Sequence, residues 1–102
     1  MVTYPVFVFD NGDLMIFEKD MSSGYLEHQD ILNNEYRFFD SEGYSVRAEI
    51  ALGELSLHRE QRCSAEFRQL LFRAMKNWDP TLSEIMSTAD MIDRAMATYD
   101  IY

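Results

Sequence analysis

The 102-residue chain holds one cysteine and two histidines, and nucleophilic or metal chemistry would have to be built from these. Cys63 follows Arg59 and Arg62, and neighbouring positive charge favours the thiolate, the reactive form of cysteine. His58 lies five residues earlier, so a Cys–His nucleophile pair is conceivable. Nothing local supports it, and an isolated cysteine usually serves as a small packing residue. His28 and His58 are thirty residues apart with no second ligand at helical spacing, so neither a metal centre nor another cofactor is expected. Asp10-Asn11-Gly12-Asp13 has oxygens but lacks the third ligand and the distal glutamate of a calcium loop. Its Asn-Gly step reads better as a tight hairpin turn. The eighteen acidic residues create many chance carboxylate pairs, and the four scattered glycines form no phosphate-cradling loop. No catalytic residue is assigned.

Charge says more about partners than about reactions. Nine bases face eighteen acids for a net charge of −9, which disfavours nucleic acid and anionic membrane surfaces, since affinity for both rests on Lys and Arg. The imbalance is uneven. Residues 1–57 carry eleven acids and three bases, residues 58–78 two acids and five bases, and residues 79–102 five acids and one base. Such a distribution fits either solvated faces beside a basic helix or an acidic face kept for a cationic partner. The lone cysteine excludes an intramolecular disulfide and suits a reducing compartment. No run approaches the roughly 18 apolar residues of a membrane-spanning helix, and the N-terminus lacks the pattern of an export signal. The expected location is cytoplasmic.

The elements that would position these residues follow from pattern. Aromatic content of 14% and hydrophobic content of 47% support one folded domain over 1–102, mainly β over 1–58 and helical over 64–99. Tyr4–Phe9 and Leu14–Phe17 flank Asn11-Gly12 and predict a hairpin. In it Val6 and Val8 oppose Phe7 and Phe9, while Leu14 and Ile16 oppose Met15 and Phe17, so both faces are apolar. Both faces are then covered within the chain, or one is covered by a partner. A short helix is expected over Lys19–Leu26, a short strand over Asp30–Leu32, a turn at Asn33-Asn34 and a strand over Tyr36–Phe39. Asp40-Ser41-Glu42-Gly43 reads as a second hairpin connection. Tyr44–Ala51 alternates with Tyr44, Val46, Ala48 and Ile50 on one face, and Glu54–His58 repeats the pattern with Leu55 and Leu57 inward. Beyond Arg59 the period becomes helical. Phe67, Leu70, Leu71, Ala74, Met75 and Trp78 form a stripe opened by Ser64 as N-cap, while Phe72 stands about 140° from Phe67, where it either packs on a second neighbour, the preferred reading, or is exposed to meet a partner. Asp79-Pro80 ends that helix, and Thr81-Leu82-Ser83-Glu84 is a capping-box pattern opening a second stripe of Leu82, Ile85, Met86, Ala89, Ile92, Met96 and Tyr99. Ser87 and Asp90 repeat the box, so 81–99 is one helix or two. The fold class is α+β: an antiparallel meander of five to six strands, a short early helix, and two to three C-terminal helices packed on one face.

The segments Tyr25-Leu26-Glu27, Asp30-Ile31, Asn34-Glu35-Tyr36 and Phe39-Asp40-Ser41-Glu42-Gly43-Tyr44 resemble the core of a group of small acidic bacterial proteins, some of which are similar to toxin-immunity proteins. The resemblance covers residues 6–46, mostly turn and strand positions. It implies a cytosolic binding protein without catalysis and transfers no individual functional residue. The leading expectation is therefore a protein-binding module, most concretely an immunity-like inhibitor of a cationic toxin, with an acidic surface steering encounter and aromatic anchors holding the complex. Asp13, Glu18, Asp20, Glu27, Asp30, Glu35, Asp40 and Glu42 are the candidate acids. Tyr25, Tyr36 and Phe72 are the candidate anchors. An acidic dimeric secretion chaperone or adaptor, self-associating through the two-faced hairpin or the Phe72 flank, is the alternative, and a small enzyme using Cys63 or an acid pair is the third reading.

Overall fold

The structure, a computed structural model, describes residues 2–18 and 36–102. Its sheet begins with β1 (Val6–Asp10) and β2 (Asp13–Phe17), joined by Asn11 and Gly12 at φ 48° and 95°. Two consecutive positive φ values are what a two-residue hairpin connection needs to match strand twist, and Asn-Gly supplies them with little strain. The pairing Phe7↔Ile16 and Phe9↔Leu14, with Val6↔Phe17 and Val8↔Met15 on the opposite face, is the register expected from the alternation.

Three strands complete the sheet: β3 (Arg37–Phe39), β4 (Tyr44–Ala51) and β5 (Glu54–Arg62). All pairs are antiparallel. The strand order is β2-β1-β3-β4-β5, which departs from a sequence-order meander because β3 pairs with the free edge of β1, not with β2. The reason lies in β1. A strand apolar on both faces is most stable in a sheet interior, and Val6, Phe7, Val8 and Phe9 are all buried there. Among the described residues the sheet has five strands, the lower of the two expected numbers, and the last runs four residues beyond the expected end at His58. A bulge between Tyr44 and Val46 interrupts the β4–β5 ladder.

Two helices follow among the described residues, α1 (Ser64–Lys76) and α2 (Thr88–Thr98), the lower of the two numbers expected for the C-terminal part. The expected early helix, the Asp30–Leu32 strand and the Asn33-Asn34 turn lie outside the described residues. α1 buries Phe67, Leu71, Ala74 and Met75 against the sheet. Phe67 stacks on Phe39 at 5.4 Å between ring centroids and meets Phe7 edge-on at 5.2 Å, geometries that add to area burial. Two details of the expected helix are corrected. Cys63, not Ser64, is the N-cap, with no side-chain cap bond; Ser64 Oγ instead accepts from Arg62 Nε at 3.2 Å. The helix ends at Lys76, so Trp78 falls off the stripe and is 73% exposed.

The second helix starts six residues later than a box with Thr81 as N-cap predicts. Asp79 Oδ1 accepts from Thr81 N and Oγ1 at 3.1 and 2.6 Å, and the carbonyls of Leu82 and Glu84 accept from Lys76 and Arg68 side chains. Side chains thus satisfy the backbone groups that a helix would use, holding residues 79–86 in turns. The second box is the one used: Ser87 Oγ accepts from Asp90 N at 3.1 Å. The inward face rotates accordingly, with Met91 and Ala95 buried, Leu82 buried before the helix begins, and Ile85 93% exposed.

These packings give the sheet two different faces. Phe7, Phe9, Leu14, Ile16 and Phe39 meet the helices, while Val6, Val8, Phe17, Phe38 and Val46 form a separate cluster on the opposite side. Beyond Val46 burial fades: no residue of β5 is buried, and residues 51–54 at the hairpin tip are all exposed. The other sheet edge is closed by a parallel bridge from Ile16 to Ile101, flanked by Tyr102 N to Ile16 O and Glu18 N to Tyr102 O, each 2.9 Å.

Candidate binding surface

The expected surface acids separate into two kinds. Asp40 is completely buried and accepts from Glu42 N and Tyr44 N through Oδ1 at 3.0 and 3.1 Å, and from Thr3 N and Arg59 Nε through Oδ2 at 3.2 and 2.8 Å. A carboxylate may leave water only when partnered in this way, so Asp40 shapes the 40–43 turn and presents nothing to a partner. Gly43 completes that turn at φ 83°, where an added Cβ would stand 3.0 Å from Ser64 Oγ. Glu42 is exposed yet engaged: Thr3 Oγ1 and Arg59 Nη2 donate to its Oε2 at 2.6 and 2.8 Å. The Thr3 hydroxyl, followed by the Arg59 guanidinium, holds its carboxyl below the usual range. Arg59 also covers the Tyr44 ring at 4.1 Å, joining residue 3, the turn and β5 in one network.

Asp13 and Glu18 remain exposed without ion-pair partners among the described residues. Tyr36 is half-buried, meeting Phe38 edge-on at 6.0 Å and packing on the second apolar cluster. Phe72 is half-buried against the helix-side core, with the Lys76 ammonium 5.5 Å from its ring. Asp20, Tyr25, Glu27, Asp30 and Glu35 lie outside the described residues.

The possible nucleophiles are placed apart from any relay. His58 Nε2 lies 3.2 Å from Ser56 Oγ and 3.3 Å from Glu49 Oε2. Both contacts use one ring nitrogen, whereas a serine–histidine–carboxylate relay needs the hydroxyl and the carboxylate on opposite nitrogens. Cys63 packs against the helix-side core. Among the described residues no three His, Cys, Asp or Glu side chains are grouped to hold a metal ion, and no helix is long and apolar enough to cross a membrane.

A region outside the expected set collects at the end of the molecule where α1 and α2 finish. Asn77 Nδ2 donates to Gly12 O at 3.4 Å, tying the end of α1 to the β1–β2 turn. Trp78 meets Tyr99 edge-on at 6.2 Å, and Tyr99 is fixed by its hydroxyl donating to Ala74 O at 3.1 Å. Burial, and then the charge of nearby Asp13, push the Tyr99 phenol upward. Trp78, Thr98, Tyr99 and Asp100 share a depression of about 280 Å³. No local signal marks Trp78 as exposed: its spacing continues the α1 stripe, and its exposure follows from the helix ending two residues earlier, at Lys76.

Comparison with protein-family models, with characterised proteins and with solved structures finds no match to this chain. The class is thus defined by the fold itself, an α+β protein whose described residues place two helices on one face of a five-stranded antiparallel sheet.

Proposed function

We propose that the protein is a non-catalytic binding module for a cationic protein, an immunity-like inhibitor of a cationic toxin being its most concrete form. The observation carrying this reading is how charge is distributed between the fold and its surface. Arg37, Arg47, Arg59 and Arg94 are neutralised inside the chain by Glu66, Glu49 with Glu60, Asp40 with Glu42, and Asp79. Of the remaining described bases, Arg62, Arg68 and Lys76 lean on Tyr44, Glu84 O and Leu82 O respectively, and Arg73 is exposed without an ion pair among the described residues. On the acidic side Asp10, Asp13, Glu18, Glu54, Glu84, Asp90, Asp93 and Asp100 have no ion-pair partner among the described residues. Ion pairing thus engages half of the described bases and leaves eight carboxylates free, an excess of free anions that accelerates encounter with a basic partner while repelling phosphate.

A pull-down with the tagged protein at low and high salt tests this. One basic protein should be retained in near-equal amount, with an association rate that falls about ten-fold or more as ionic strength rises. Association insensitive to salt, or recovery of the bait alone, would remove the reading. The dimeric alternative loses the two-faced hairpin, whose faces are both covered within the chain; the observation that favours it is β5, which pairs only with β4 among the described residues and has no buried position.

A further inference from the structure

We propose that the end of the molecule built from Trp78, Tyr99, Asp100 and Asp13 receives an arginine or lysine side chain from a basic segment of a protein partner, with Trp78 as its aromatic platform. This rests on the binding-module reading and specifies its docking site. Four observations converge on one place. Trp78 is 73% exposed, although tryptophan is rarely left so open in a monomer and is enriched among residues that dominate interface energies. Its backbone is held by Trp78 N donating to Met75 O at 3.0 Å, and its ring rests against a Tyr99 that is itself anchored. The platform is therefore ordered before binding, which lowers the entropy cost of association.

The electrostatics select the occupant. Asp100 lines the same depression as Trp78 and, like Asp13, is without an ion pair among the described residues. Both helices end here, and the C-terminal end of a helix carries partial negative charge. α1 offsets its own end with Arg73 and Lys76 in the last turn, but α2 has no basic residue in its last turn. The nearby cation Arg94 is committed to Asp79 at 2.8 Å. An indole face, two free carboxylates and an uncompensated helix end together suit a guanidinium or ammonium group. A second copy is disfavoured because it would bring the same acidic end against itself, and a phosphate-bearing polymer is repelled by it.

Trp78 is the sole tryptophan of the chain, so its own emission reports on the site. Titration with a hexa-arginine peptide at low salt should give a saturable change in that emission, abolished at high salt. Calorimetry should show Trp78→Ala binding the peptide about ten-fold more weakly and Trp78→Phe keeping part of the affinity. Asp13→Asn combined with Asp100→Asn should weaken it several-fold. These positions are exposed, so the variants should keep the wild-type unfolding midpoint, which separates a binding loss from a folding loss. Undiminished peptide binding by Trp78→Ala would overturn the site while leaving the cationic-partner reading standing. Failure of the wild-type protein to bind the peptide, or a dimer in sedimentation that Trp78→Ala dissolves, would also overturn it. The salt-dependent pull-down judges the broader reading separately.

Discussion

Two hairpins with the same connection have opposite fates in this molecule. Asn11-Gly12 and Leu52-Gly53 both place two residues at positive φ, 48° and 95° in the first and 53° and 78° in the second. The first hairpin is enclosed: β1 has four buried residues in succession and every residue of β2 except Asp13 and Met15 is buried. The second runs out of the body. Its apolar residues Ala48, Ile50, Leu55 and Leu57 share one face and are only half-buried, and Leu52 at its tip is fully exposed. Turn geometry closes a hairpin, but the neighbours on each face decide how much energy it holds.

The largest expected contrast is in the strands. Phe7→Ala removes a fully buried ring and should cost about 3–5 kcal/mol, whereas Leu57→Ala should cost about 1 kcal/mol because its site is already partly wet. Urea unfolding of the two variants checks this, and comparable losses would mean that the second hairpin carries as much of the core as the first. A smaller effect should come from exchanging turn residues. Leucine is strained at positive φ where asparagine is tolerated, so Leu52→Asn should raise stability by about 0.5–1 kcal/mol. Asn11→Leu should lower it by a similar amount, read as paired shifts in thermal midpoint. Only one sign of shift from both would break the equivalence of the turns.

The smallest effect concerns acid. The carboxyls of Glu42, at the root of the second hairpin, and of Asp79, where the Thr81 hydroxyl is the leading cause, are held below their ordinary values in the folded chain. A lowered folded value means that their contribution is complete above the ordinary carboxylate range and is lost as pH falls through and below it. The urea midpoint of the wild-type protein should therefore fall on acidification, and Glu42→Gln should flatten that fall. An unchanged acid limb in the variant would place the sensitivity elsewhere.

Local chemistry made the first hairpin legible, because Asn-Gly and the alternation of Val6 to Phe9 act over a few residues. The inward face of α1 was legible for the same reason. Asp40 was not. Its neighbours in sequence suggest a solvated turn acid, and its burial depends on Thr3 and Arg59, 37 and 19 residues away. The start of α2 was hidden because two capping patterns stood in succession, and the choice between them was made by Arg68, Lys76 and Asp79 reaching across the turn. Trp78 followed the α1 stripe in spacing but lay beyond the residue where that helix ends. The proposed binding surface was therefore only partly readable: its acid content was visible in the sequence, while the exposure of Trp78 beside Tyr99 required tertiary structure.

The contact between Arg59 Nη2 and Thr3 Oγ1 at 2.7 Å spans 56 residues, more than half of the chain. Closing so wide a loop is costly until intervening segments are in register, so such contacts tend to form after the barrier that limits folding. Interactions made on that side of the barrier change the lifetime of the native state more than the speed of reaching it. The Thr3–Asp40–Glu42–Arg59 cluster should thus act as a latch for persistence, its removal being expected to shorten the life of the assembled sheet more than it delays the chain in finding it.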